Sequence, residues 1–145
     1  MFNFFKKKNT SGESKDKIAS MPANDGMLLS YQEKAQEELP YLIEFMETHK
    51  DLDAKLFRYA VKSNFQEEDK SEHMWAQIYE FKDGYFIGKL ANEPASLKLI
   101  KYADDVKVDQ AEVEDWILED FLTHTKVGGF SSQYLRDNAN KNASH

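Results

Sequence analysis

Cysteine is missing from the 145-residue chain, which removes disulfides, thiolate metal sites and cysteine nucleophiles together. No apolar run approaches the roughly 20 residues that a membrane-spanning helix needs, so stable membrane insertion is not expected. The short signatures of chemistry are missing too. There is no GxSxG elbow, so a triad assembled from Ser131 or Ser132 with His124 and Asp137 is a coincidence of composition. The four histidines (His49, His73, His124, His145) show neither HExxH nor another short ligand spacing, and the acidic runs lack the alternating oxygen ligands of a calcium loop. Gly128-Gly129 without GxxxxGK reads as a turn and not as a phosphate cradle. No metal, cofactor or catalytic residue is expected.

Positive charge is also scarce. Residues 1–26 hold five lysines against three acids, whereas residues 27–145 hold 14 basic against 23 acidic groups, for a net charge of −7. An acidic body repels phosphate backbones, so nucleic acid is a disfavoured partner. What the chain does have is a hydrophobic share of 41% with 10 Phe, 7 Tyr and 2 Trp, enough for the core of one modest domain. The mean hydropathy of −0.72 places a heavily charged surface around it.

Residues 1–29 read as a polar tail. Phe2, Phe4 and Phe5 precede Lys6, Lys7 and Lys8, the reverse of the order in a secretory signal, and a cytoplasmic location is the expectation. The ordered domain is expected over 30–136, with a second tail over 137–145. Ser30 and Glu33 have the spacing of a capping box, which predicts a helix starting at Tyr31. Tyr31, Ala35, Leu39, Leu42, Ile43 and Met46 recur at three- and four-residue steps and form its buried stripe. Pro40 should kink this helix or split it in two.

From Leu56 the period approaches two, and strands are expected at about 56–65, 73–82 and 85–91. Asp83-Gly84 between the last two is a type I′ hairpin signal. Facing positions then sum to 167, so that Phe81 meets Phe86, Tyr79 meets Gly88, Gln77 meets Leu90 and Trp75 meets Asn92. The face carrying His73, Trp75, Tyr79, Phe81, Phe86 and Leu90 is the expected core. Asp105 to Val108 alternates as a fourth strand. Val113, Trp116, Ile117 and Phe121 have helical spacing, which predicts a short helix over 110–123. The sum is an α+β domain: an N-terminal helix packed on a bent antiparallel sheet of about four strands, either open or rolled into a small, partly open barrel.

The succession VKSNF (61–65), EHMWAQI (72–78), GYFIGKLANEP (84–94), DVKV (105–108), VEDWIL (113–118) and GGF (128–130) resembles the YegJ-like family of bacterial domains of unknown function. The resemblance covers roughly 31–135. It departs from the family at Asp104, where a glycine commonly precedes the aspartate. It implies no activity, and it implies that Asp115-Trp116 lies in an extended segment, against the helical spacing.

Three functional classes follow. The first is a non-catalytic module that binds a protein or peptide, of regulatory or toxin-neutralising type. Its partner would carry a basic or mixed-charge face, steered by an acidic loop at Glu67, Glu68 and Asp69. The second is a small enzyme or ligand-binding protein using a groove where Trp75, Asn92, Asp115 and Trp116 meet. Nucleic-acid binding is the third. Glu72-His73 is not an acid–base pair, because adjacent strand residues point to opposite faces.

Overall fold

The computed structural model describes residues 25–133; of the tails expected over 1–29 and 137–145, residues 1–24 and 137–145 lie outside them. One long helix, α1 (Asp25–Thr48), is followed by six strands: β1 (Phe57–Glu67), β2 (Lys70–Lys82), β3 (Tyr85–Leu90), β4 (Asp105–Asp109), β5 (Asp115–Asp120) and β6 (Thr125–Gly128). All neighbours pair antiparallel in the order β4-β3-β2-β1-β5-β6. The α+β class holds. The sheet has six strands and not about four, and its edge strands do not pair with each other, so no barrel closes.

Helix α1 begins five residues before Ser30, so Ser30 lies inside it and caps nothing. The stripe is as the spacing requires: Tyr31, Ala35, Leu39, Leu42 and Met46 are buried, and Ile43 packs against the same core. The helix runs through Pro40 as a single element. Proline deprives the Gln36 carbonyl of its usual donor, and this is also the stretch tied down by β5 and by the segment that leads into it. Trp116 Nε1 donates to the Ala35 carbonyl at 3.0 Å, and Gln36 Nε2 donates to the carbonyls of Gln110 and Val113 at 2.9 and 2.8 Å.

The hairpin turn between β2 and β3 forms as its sequence dictates. Asp83 and Gly84 both take positive φ, 52° and 83°, and the pairs Phe81–Phe86 and Lys82–Tyr85 follow the expected sum. The register then slips, because a bulge between Ile78 and Glu80 leaves Tyr79 without a partner. Beyond it Gly88 faces Ile78, Lys89 faces Gln77 and Leu90 faces Ala76. One extra residue turns every later side chain to the opposite face. The buried face of β2 is therefore Met74, Ala76 and Ile78, while His73 is exposed, Trp75 half-buried and Tyr79 57% exposed. Only the Phe81, Phe86 and Leu90 part of the expected core face survives. Gly88 permits the close strand approach at this point, since a Cβ there would fall inside the Gln77 carbonyl and 2.8 Å from Ile78 Cα.

The helix expected over 110–123 is instead a single 3-10 turn, Gln110–Glu112, followed by strand β5. Trp116 and Leu118 point to the α1 side and pair with Val61 and Tyr59, while Ile117 points to the other face. With apolar groups on both faces, Trp116-Ile117-Leu118 masks its own alternation. The extended reading implied by the family resemblance was correct. At the departure from the family pattern, the positive φ falls on Ala103 (72°), and Asp104 closes the turn by accepting from the Lys101 N–H at 2.9 Å.

Candidate binding surface

Helix α1 covers one face of the sheet. On the other, the described residues add only a helical turn at 130–133, whose Ser131 closes over Asp115 in β5, and the rows of that face follow from the pairing. Trp75 and Asp115 flank Lys62; Asn64 faces His73; Lys89, Gln77, Ala60 and Ile117 run across four strands. Arg58 pairs with Glu119 at 2.5 Å and Lys89 with Asp105 at 2.7 Å, an ion pair that holds the Lys89 ammonium above its usual range. Lys107 lies 4.3 Å from the centre of the Tyr85 ring. His73 Nδ1 meets Glu114 Oε1 at 2.7 Å. Among the described residues Lys62, which faces Trp75 across the strands, has no ion pair, and the Asn64 Oδ1 is buried with no hydrogen-bond partner. The surface is thus a mixed-charge field around one half-buried indole.

The four residues expected to share a groove do not share one. Trp75 and Asn92 touch, because the Trp75 N–H donates to Asn92 Oδ1 at 2.6 Å, but this places the Asn92 amide in the backbone ladder. Directly opposite Trp75 stands Ala91, whose N–H donates to the Trp75 carbonyl at 2.8 Å. Trp116 sits on the α1 side of the sheet, 0% exposed, with Phe130 edge-on at 5.5 Å and Tyr41 stacked at 6.4 Å. Asp115 lies two strands from Trp75 and is also 0% exposed. Its Oδ1 accepts from the Trp116 and Phe130 N–H groups at 2.8 and 2.9 Å, and its Oδ2 accepts from the Ser131 N–H and hydroxyl at 2.9 and 2.5 Å. A carboxylate holding four donors caps the chain after β6 and has no lone pair to offer a ligand.

The acidic hairpin divides in the same way. Glu68, at φ 57°, and Asp69 form the exposed two-residue turn between β1 and β2. Glu67 is committed elsewhere, accepting the Lys98 and Leu99 N–H groups at 3.0 and 2.7 Å. Glu72 does likewise for Ala95 and Ser96, at 2.8 and 3.0 Å, and these backbone donors hold its carboxyl below the usual range. The two carboxylates fasten the long β3–β4 connection, whose Leu97 and Ile100 are buried in the core. Glu72 gave no local signal of this role, because the loop it holds lies more than 20 residues downstream.

Among the described residues, no cluster of three or more His, Asp or Glu groups is placed to hold a metal ion, and no helix is long and apolar enough to cross a membrane. The uncharacterized protein YegJ of Escherichia coli (strain K12) is 29% identical over 83 residues, which cover 57% of this chain and 51% of that protein, so the match spans about half of its length. No solved structure matches. A family model described as "Uncharacterized protein conserved in bacteria (DUF2314)" matches residues 25–145, and the chain, with the strand succession and the Gly88 to Pro94 stretch that first suggested a YegJ-like domain, belongs to that family.

Proposed function

We propose that this domain is a non-catalytic module that binds another protein through the open face of its sheet, with Trp75 as the anchor. The observation that carries this reading is the contrast between the two tryptophans. Trp116 is wholly enclosed, whereas Trp75 lies half-buried on the open face, two strands from the helical turn that closes over Asp115 and next to Lys62, Gln77 and His73. Half-buried indoles surrounded by adaptable polar groups supply much of the energy in protein interfaces. Alternating charges on the same face suit a partner of mixed charge. The net charge of −7, with Glu68 and Asp69 projecting at a hairpin tip, favours the approach of a partner whose face is basic or mixed. The carboxylates best placed for chemistry, Asp115 and Glu72, are occupied by backbone donors, which weighs against an enzyme at these positions.

The test is site-directed photo-crosslinking in the native cell, with a photoreactive residue at Gln77 beside Trp75 or at Lys34 on the exposed side of α1. The expected result is one protein adduct from position 77, absent from position 34 and lost when Trp75→Ala is added. Equal adducts from both positions, or an adduct indifferent to Trp75, would refute the assignment of this face.

A further inference from the structure

The C-terminal end of α1 and the near end of the sheet enclose a cavity of about 460 Å³ on the face opposite Trp75. That volume lies within the range of small-molecule sites, roughly 300–1,000 Å³. Its apolar wall is formed by Ile43, Met46, Phe57 and Phe81, and the rings of Tyr59 and Tyr79 complete it. Phe57 and Tyr59 are stacked at 6.2 Å, and the His49 ring stands edge-on to Phe57 at 5.2 Å. Tyr79 reaches this cavity because it is the bulge residue of β2, released from the strand alternation.

The four charged side chains lining the cavity, Glu47, Lys50, Glu80 and Lys82, balance in formal charge, and the backbone adds a partial negative charge. Helix α1 ends here with no basic residue in its last turn and with Glu47 in it, so the terminal carbonyls present an uncompensated partial negative charge. Lys50, the first cation after the helix, is taken by Glu47 at 2.7 Å. His49 Nδ1 lies 2.8 Å from the Phe45 carbonyl. That oxygen can only accept, so Nδ1 carries the proton. On the sheet side, Glu80 and Lys82 are both exposed, and neither makes an ion pair among the described residues. Aromatic faces attract cations through their quadrupole, more strongly as water is excluded.

We propose that this cavity binds a small organic ammonium ion, its apolar body against Met46, Phe57 and Phe81 and its charged head among Tyr59, Tyr79, Glu80 and the last carbonyls of α1. This site is separate from the open sheet face, and the inference does not depend on the function proposed for that face.

The experiment follows the methyl resonances of Met46 and Ile43 in the full chain during titration with benzyltrimethylammonium, benzyl alcohol or benzoate, three probes of similar size and different charge. Saturable shifts of both methyls are expected with the ammonium ion, with an affinity at least tenfold above that of the alcohol, and no saturable shift with benzoate. Tyr79→Ala and Glu80→Gln, both at exposed positions, should each weaken ammonium binding at least threefold, while Lys34→Gln on the far side of α1 leaves it unchanged. The proposal is overturned if benzoate binds as tightly as the ammonium ion, if the ammonium ion is no better than the alcohol, if nothing saturates, or if neither cavity variant weakens binding.

Discussion

Replacing Asp115 by asparagine keeps the shape of the side chain and changes one oxygen into a donor. In the native site all four contacts are donors: the Trp116 and Phe130 N–H groups on Oδ1, and the Ser131 N–H and hydroxyl on Oδ2. If the new NH2 replaces Oδ1, two buried backbone donors are left unmet. If it replaces Oδ2, the Ser131 hydroxyl can turn and accept, and only the Ser131 N–H is lost. The second arrangement is the cheaper. It forfeits one bond to a charged acceptor and leaves one buried donor without a partner, together about 2–4 kcal/mol. At about 4 °C per kcal/mol for a domain of this size, the melting temperature should fall by roughly 8–16 °C. Ser131→Ala removes only the hydroxyl and should cost about 0.5–1.5 kcal/mol, whereas Asp115→Ala frees all four donors and should cost more than Asn. Urea unfolding followed by Trp fluorescence gives the three values. A loss below about 1 kcal/mol for Asp115→Asn, or a larger loss for Ser131→Ala, would refute the capping role argued from these contacts.

Gly84→Val places a β-branched residue at φ 83° and should cost about 1–3 kcal/mol by urea unfolding, while Lys82→Gln, at an exposed position, should change stability by less than about 0.5 kcal/mol. Gly88→Ala must push β3 away from the backbone of β2 and should cost about 3 kcal/mol or more, with loss of amide-exchange protection concentrated in β2 and β3. Because the Glu72 carboxyl is held below its usual range, its contribution is complete above the unfolded value near 4.5 and disappears as pH falls through the lowered folded value; the stability difference between wild type and Glu72→Gln should therefore be constant above about pH 5.5 and shrink below pH 4.5. Trp116→Phe loses the bond to the Ala35 carbonyl and leaves a void, for about 2–4 kcal/mol, whereas Trp75→Phe should cost under about 1 kcal/mol.

The helical stripe from Tyr31 to Met46, the first four strands and the Asp83-Gly84 turn could all be read from local pattern, because each depends on neighbours within a few residues. The bulge at Tyr79 could not. Residues 73–81 contain two interleaved apolar sets, Met74, Ala76 and Ile78 on one parity and Trp75, Tyr79 and Phe81 on the other. Only the α1 side of the sheet, supplied by residues far away in sequence, decides that the first set is buried. The change of parity between Ile78 and Phe81 was the visible trace, since a strand that buries both residues must contain an extra one between them. β5 failed for a related reason. Ile117 lies on the open face with its apolar side chain only partly exposed, so the strand shows no polar alternation.

The same gap separates the expected site from the observed one. Asp115 and Trp116 are adjacent in sequence and so point to opposite faces, yet both are enclosed: one by the Phe130–Ser131 turn, the other by α1. The acidic residues show the wider principle. A chain without disulfides must fix its connections by other means, and here carboxylates supply much of that. Asp53, Asp104, Asp109 and Asp120 each accept an N–H two or three residues away, from Lys55, Lys101, Ala111 and Leu122. Glu67, Glu72 and Asp115 do so across longer distances. Negative charge that reads as a solvated shell is therefore partly internal scaffolding, and removing it would loosen loops as well as change the field. Glu68 and Asp69 are different: they sit exposed on a turn and take part in none of these contacts. Neutralising those two alone isolates the electrostatic contribution to partner association, whereas including Glu67 would also release the β3–β4 connection and confound a slower approach with a disturbed fold.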